Sequence, residues 1–276
     1  MATTRLLCHD GSVNDTYTHG HHDSVLRSHR WRTAENSAAY LLPRLTKEDS
    51  LLDVGCGPGT ITQDLAALVA PGEVIGLDYA ESVVVEAKEL GEGIANLQFR
   101  TGNVYALDFA DDTFDVVHAH QVLQHLTDPV AALREMRRVL RPGGTLAVRD
   151  CDYQGFFWAP RSTELDRWLE LYHAVMWRNG AEPDAGRFLP EWVAEADLKE
   201  IAVSGTLWTF CDPESREWWG GSWEERVVRS AFATQAVEYQ LSDEHELQQL
   251  AAAWRAWVDS PHGSFGVPHV EVLATK

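Results

Sequence analysis

Short apolar runs alternate with longer stretches of helical period along most of this chain. The runs at 50–54, 73–78, 97–101, 114–119 and 145–150 read as buried strands. Between them apolar residues recur at helical spacing: Ile61, Leu65, Leu68 and Val69, then Val83, Val84, Ala87 and Leu90, then Leu133, Met136 and Leu140. Pro71-Gly72 ends the first of these helices, and Arg141-Pro142-Gly143-Gly144 ends the third. Such alternation predicts an α/β fold, a doubly wound and mostly parallel sheet with helices on both faces. Upstream, 33–42 is expected to be a helix with Ala38, Leu41, Leu42 and Leu45 on one side and Pro43 bending it. Downstream, the pattern gives a helix at 163–177 and a sixth strand at 199–210. Helices at about 213–240 and 243–259 and a seventh strand at 267–274 complete the chain.

The first strand runs into Gly55-Cys56-Gly57-Pro58-Gly59-Thr60, and Thr60 opens a helix. Glycine there permits positive φ and lets a ligand come close to the main chain. The helix behind the turn points unpaired N–H groups at that ligand. A dinucleotide fingerprint is excluded, because the residue three after Gly57 is Thr60 rather than glycine. Asp53 lies directly before the turn, where a pyrophosphate would meet a carboxylate at close range and a cationic ligand carrying an ammonium and a sulfonium suits better. Asp78 ends the second strand about twenty residues beyond the loop, where an acid can accept both hydroxyls of a ribose.

Asp53-Val54-Gly55-Cys56-Gly57-Pro58-Gly59-Thr60, Asp78, the stretch from His120 to Leu126 and Arg141-Pro142-Gly143-Gly144 together resemble the S-adenosylmethionine (SAM)-dependent methyltransferases of Rossmann-like fold. The subgroup most similar in these motifs is the ubiquinone/menaquinone-biosynthesis type. The resemblance covers about 30–205. It implies a seven-stranded sheet closed by an antiparallel last strand, with the helices between strands six and seven as an insertion. One domain is expected: a helical lid over 1–45, a SAM-binding core over 46–150, and substrate-side helices and closing strands over 151–276. Carried onto this chain, the motifs imply that SAM, and its product S-adenosylhomocysteine, are held by Asp53, Gly55, Cys56, Gly57, Gly59, Asp78, Tyr79, Asn103, Val104, His120 and Gln121. Asn103 stands where the family usually has an acid for the exocyclic amine of adenine, and keeps an acceptor oxygen for it. The implied chemistry is in-line transfer of a methyl group to a small acceptor. A lyase or cyclase that uses the SAM cation electrostatically would carry the same motifs.

Charge and composition narrow the acceptor. Asp and Glu number 42 against 23 Lys and Arg, a formal charge of −19, which disfavours nucleic acid and anionic membranes. Arg134, Arg137, Arg138 and Arg141 cluster, and read as a solvated helix face near its end. Ten of the eleven tryptophans follow Asp150, so a small, largely apolar or aromatic acceptor is expected there, although core accounts for most of them. Cys8, Cys56, Cys151 and Cys211 form no C-x-x-C pair, too few and too scattered for a disulfide framework, a zinc ribbon or an arsenite methyltransferase. With no apolar run over 1–20 and no stretch of membrane-spanning length, a cytoplasmic protein is expected. A homodimer is left open. His19, His21, His22 and Asp23 look ligand-like but lack a closing set, so no metal is expected. His125, His21, His22 and Tyr17 are the candidate bases, because they border the expected position of the methyl group.

Overall fold

The structure, a computed structural model, describes residues 15–20 and 23–276. Its elements follow in order: α1 (Asp23–Arg30), α2 (Ala34–Ser37), β1 (Leu51–Val54), α3 (Thr60–Val69), β2 (Val74–Asp78), α4 (Glu81–Leu90) and β3 (Leu97–Thr101). Then come β4 (Phe114–His120), α5 (Pro129–Val139), β5 (Leu140–Cys151), β6 (Phe157–Ala159), α6 (Thr163–Arg178) and α7 (Ala185–Glu195). The last are β7 (Lys199–Phe210), α8 (Pro213–Arg229), α9 (Ala231–Glu238), α10 (Glu244–Val258) and β8 (Ser264–Thr275).

Strands β3-β2-β1-β4-β5 are parallel, and β8 runs antiparallel to β5. On its other side β8 pairs with β7, since Glu271 faces both Arg149 and Ser204. The sheet carries one strand more than the seven expected. It is the three-residue β6, which continues along β8 on the β5 side, as Phe265 faces both Trp158 and Phe210.

The central strands β1, β2 and β4 and the second half of β5 are buried on both faces, whereas β7 is exposed along most of its length. Leu51, Val74, Val116 and Ala147 point to one side, into a core closed by α2, α3 and α4. Their neighbours Leu52, Ile75, Val117 and Leu146 point to the other, into a core closed by α5 and α7. A third core caps the C-terminal half: Trp168, Trp223, Trp254 and Phe265 pack between α6, α8, α9 and α10. Tryptophan centroids there lie 4.5 Å (Trp168–Trp223) and 4.8 Å (Trp168–Trp254) apart at steep angles, the edge-to-face geometry that ring quadrupoles favour.

Several expectations need correction. The helix expected at 33–42 is one short turn, α2, capped by Thr33 and Asn36 in a capping box, followed by a 3-10 turn that Pro43 enters. Leu68 and Leu90 were assigned to buried faces but are 47% and 39% exposed. Thr62 and Ala66 take the inward positions on α3 instead, because the helix is rotated to bring Thr62 onto Asp53. Leu140 is buried, but as the first residue of β5 rather than the last turn of a helix. The helix expected at 213–240 breaks at Ser230, whose extended backbone caps α9. Among the described residues no helix is long and apolar enough to cross a membrane.

Candidate active site

A cavity of about 230 Å³ opens at the C-terminal ends of β1, β2 and β4, the place where parallel α/β sheets bind ligands. Its floor is backbone. Gly55, Gly57 and Gly59 sit at φ of +67°, +55° and +88°, left-handed values that residues with a β-carbon adopt only at a cost. A Cβ on Gly55 would lie 2.3 Å from Val122 Cγ2, whereas one on Gly57 would meet only His29 Nδ1, at 3.8 Å. The loop is therefore packed from below and open above.

Two acids hold it. Asp78 accepts from Gly57 N at 3.0 Å and from Ala80 N at 3.0 Å, one bond on each oxygen. An ionised carboxylate has about four lone-pair sites, so two remain unused by the loop. Asp53 is committed inside the protein: Oδ1 is 2.7 Å from His118 Nδ1 across the β1–β4 ladder, and Oδ2 accepts from Thr62 Oγ1 at 2.6 Å. Asp53 still lines the cavity, but its partners make it a brace between β1, β4 and α3 as well as a negative charge beneath the ligand.

The remaining expected contacts ring this floor. Cys56, Tyr79, Asn103, Val104, His120 and Gln121 all line the cavity. Tyr79 is 74% exposed and forms the rim. Asn103 Oδ1 already accepts from Tyr105 N at 2.9 Å, which fixes the carboxamide's orientation. His120 closes β4; Arg149 Nη1 lies 3.4 Å from its Nδ1, and Nε2 is buried with no partner. Burial first, then the Arg149 charge, keeps this imidazole neutral by pushing its pKa well down. Gln121 sits at φ +55°, and that sparsely populated conformation turns its carboxamide toward His269 Nε2 (2.8 Å) and Cys151 Sγ (2.9 Å). An open glycine loop, a carboxylate with spare lone pairs and an orphaned imidazole nitrogen fit a nucleoside with an amino-acid tail.

The opposite wall is made of side chains from distant segments. Residues 15–20 cross it as a strap: Asp15 accepts from Thr127 N at 2.8 Å, Thr18 Oγ1 accepts from Asn179 Nδ2 at 2.9 Å, and His19 Nε2 lies 2.8 Å from Tyr172 OH. Beside the strap, α1 packs on α8, where Ser28 Oγ accepts from Arg226 Nη2 at 2.6 Å. Trp31 lies against Trp218, ring centroids 4.7 Å apart and tilted by 40°, and Trp208 Nε1 donates to Asn36 O at 2.9 Å.

Of the candidate bases, Tyr17 and His125 meet here, with ring centroids 4.8 Å apart at 88°. His21 and His22 lie outside the described residues. Burial pushes the Tyr17 phenol up to about 12 against the opposing fields of Arg32 and Arg226, so it is protonated at neutral pH. Burial, then the Arg32 charge, pushes His125 down to about 3, so it is a neutral imidazole. His125 Nε2 faces the Gln124 carboxamide at 3.0 Å, while Nδ1 is buried without a partner. No group of three His, Cys, Asp or Glu side chains among the described residues is arranged to hold a metal. Sequence reasoning missed His29, Arg32, Tyr153 and Arg226, all in the wall. It met His19 only as a metal-ligand candidate. Nothing in their local spacing marks them, because tertiary packing alone brings them together.

Comparisons with known proteins point one way. A family model described as a methyltransferase domain matches residues 45–198. The chain is 35% identical to an uncharacterized methyltransferase of Schizosaccharomyces pombe, covering 94% of this chain and 96% of that one. It is 30% identical to the probable methyltransferase ltbC of Aspergillus luteorubrus, over 96% and 99% of the two chains. Over a shorter stretch, 34% of this chain and 39% of the relative, it is 43% identical to the demethylmenaquinone methyltransferase of Lactococcus lactis. Phosphoethanolamine N-methyltransferase 2 of Haemonchus contortus was solved with phosphomonomethylethanolamine and S-adenosylhomocysteine. It shares the fold at a TM-score of 0.54 and 17% identity, over 86% of this chain and 52% of that one.

Proposed function

The chain belongs to the SAM-dependent methyltransferases, and on that premise we propose that it methylates a small, aromatic-bearing molecule seated between the N-terminal strap and the tryptophan-rich half. One observation carries this reading. The glycine loop, Asp78 and Asn103 share a single cavity with Tyr17, His125, Tyr153 and Trp208, so donor and acceptor meet without a change of fold.

SAM, when bound, supplies a methyl group already activated by its sulfonium. The protein's own work is then to align the acceptor and keep water out. Asp78 is assigned the ribose hydroxyls through its two unused lone-pair sites, and the open face of Gly57 allows close approach. Residues 15–20 and α1 roof the cavity and exclude solvent. His125 presents Nδ1 to the acceptor's nucleophilic group. With a pKa near 3 it stores a proton poorly, so its role is to orient that group by a hydrogen bond rather than to deprotonate it. The −19 formal charge argues against RNA or DNA as the acceptor.

Methyl transfer from labelled SAM to a panel of phenols, quinols, amines and tRNA tests the reading, alongside calorimetry with S-adenosylhomocysteine. Small aromatic compounds should be labelled in preference to tRNA. Asp78→Ala should weaken S-adenosylhomocysteine binding by about 1.5–3 kcal/mol, the range for a hydrogen bond to a charged group. Wild-type affinity in that variant would remove Asp78 from the site, and labelling of tRNA above the small molecules would end the acceptor assignment.

A further inference from the structure

The edges of the sheet are defended unequally. An unpaired strand offers a row of free N–H and C=O groups, and natural edges are kept short, charged or bulged so that they do not pair. At one end of the sheet β3 is five residues long and carries Arg100. The short strand β6, beside β8, has three residues. β7 is twelve residues long, and among the described residues no strand lies beyond it. A bulge between Lys199 and Ala202, with Glu200 at φ +49°, guards its start. From Ile201 to Cys211 there is neither a charged residue nor a proline, in a chain of −19 formal charge.

The register shows which backbone groups reach that edge. Asp152 N donates to Pro268 O at 3.1 Å and Lys276 N to Gly144 O at 3.2 Å, so even-numbered residues of β8 turn their backbone groups toward β5. Alternate residues of an antiparallel strand turn opposite ways, so Val267, His269, Glu271 and Leu273 bond to β7. Their partners there are Trp208, Thr206, Ser204 and Ala202. Val203, Gly205, Leu207 and Thr209 therefore present N–H and C=O to the open edge, where their backbone groups meet no other described residue. Side chains alternate as well. Ser204 and Thr206 each donate to Glu271 at 2.7 Å and Trp208 lines the cavity, whereas Val203 and Leu207, on the opposite face, are 55% and 46% exposed.

We propose that β7 pairs antiparallel with β7 of a second copy of this chain, about a two-fold axis at Gly205, and so forms a homodimer. Three features fit a second copy rather than an unrelated strand. The axis sets Val203 opposite Leu207 of the second copy and Leu207 opposite its Val203, so the exposed apolar side chains cover one another. It also opposes odd-numbered residues to odd-numbered ones, so every N–H and C=O that reaches the edge finds its complement. From 201 to 209 that ladder is about 27 Å long, at roughly 3.4 Å per residue. Finally, two chains of −19 formal charge repel one another, and this contact lies on the uncharged part of the strand. Glu200 then faces Phe210 of the second copy rather than another acid. The two eight-stranded sheets become continuous, and the paired strand is the one that carries Trp208 into the cavity wall.

Sedimentation velocity on the full chain tests this. The wild type should sediment as a dimer at about 10 µM. Val203→Glu and Leu207→Lys should each raise the dimer dissociation constant about tenfold or more, because one substitution unmatches both ends of a two-fold contact. An equimolar mixture of the two variants should recover most of that loss. In the mixed dimer the new carboxylate faces the new ammonium at one end, and the native Val203–Leu207 pair remains at the other. Val85→Glu, which puts the same charge on an exposed valine of α4, should leave the dissociation constant within about twofold of wild type. Near-ultraviolet circular dichroism, dominated by the eleven tryptophans, should be unchanged throughout, which shows that the variants fold. A wild type that stays monomeric at about 100 µM would overturn the proposal. A dimer that both single variants leave intact would overturn it too, since its interface would lie elsewhere. So would a mixture no more dimeric than either variant alone, because Val203 and Leu207 would then not face each other.

Discussion

The two walls of the cavity are built on opposite plans. On the loop side, ligand-facing groups are mostly backbone, gathered from 53–60, 78–80 and 102–104 at the ends of three neighbouring strands, and acids set the charge. On the far side they are side chains drawn from the strap, α1, the turn after β4, the end of β5, β7 and α8, and cations and neutral imidazoles dominate. A site made of backbone depends on local conformation. A site made of distant side chains depends on the packing that carries them, so the two walls should fail in different ways.

The largest effect belongs to that packing. Trp254 is fully buried on α10 and lies outside the cavity wall, with centroids 4.8 Å from Trp168, 5.5 Å from Phe265 and 6.0 Å from Trp223. Trp254→Ala should cost about 3–5 kcal/mol of unfolding free energy, the range for emptying a buried tryptophan site. S-adenosylhomocysteine affinity of the folded fraction should stay near wild type, as read by chemical denaturation and calorimetry below the transition. Loss of both together would show the walls to be one energetic unit.

That contrast also explains what could be read in advance. The strand–loop–helix unit, Asp78 and the helix-stopping Arg-Pro-Gly-Gly are contiguous in sequence, and their chemistry is visible in order and spacing alone. The strand at Lys199–Phe210 was legible to the residue, because a run rich in β-branched and aromatic residues between Asp197 and Pro213 has few other readings. The anchoring of Asp53 by His118 was not legible, since their pairing depends on the β1–β4 register. Arg32 was missed because it lies in the tight link between α1 and α2, where a single arginine reads as solvent-facing. Its depth follows from Trp31 docking against Trp218 and from the Gln121 contact.

A smaller effect tests the backbone wall. Gly55→Ala forces a β-carbon onto φ +67° and to within 2.3 Å of Val122 Cγ2, so the Val122 side chain must shift and the backbone strain remains once it has. S-adenosylhomocysteine binding should fall by about 2–3 kcal/mol, combining backbone strain with a displaced loop. Methyl transfer to the small aromatic acceptors, read at cofactor concentrations high enough to compensate, should survive. If transfer is lost even at saturating cofactor, the two walls share determinants and the division between them does not hold.

The smallest effect, and the sharpest in sign, concerns the strut between the walls. Asp150 lies at the end of β5, fully buried; Oδ1 accepts from Gln124 N at 3.3 Å, while Oδ2 is buried without a partner. Burial, opposed by backbone N–H groups of the 123–125 turn, raises its pKa to about 8, so it is protonated in the folded protein at neutral pH and ionised in the unfolded chain. The folded state therefore binds the extra proton, and stability falls as pH rises toward and through the folded pKa. Below about pH 7 the slope reverses, because the buried neutral imidazoles of His19, His29, His120, His125 and His269 must take up protons on unfolding. His173, where burial is outweighed by its bond to Asp184, adds a term of the same sign as Asp150 just above that point. Between pH 6.5 and 8 the stability of the wild type relative to Asp150→Asn should thus fall by about 1–2 kcal/mol, since one titrating group is worth at most about 1.4 kcal/mol per pH unit. Denaturant unfolding of both proteins across that window checks it. Parallel curves would mean that Asp150 is ionised in the fold, and the 123–125 turn would then rest on a charged support, placing a negative charge beside His125 and weakening the cationic character of the acceptor wall.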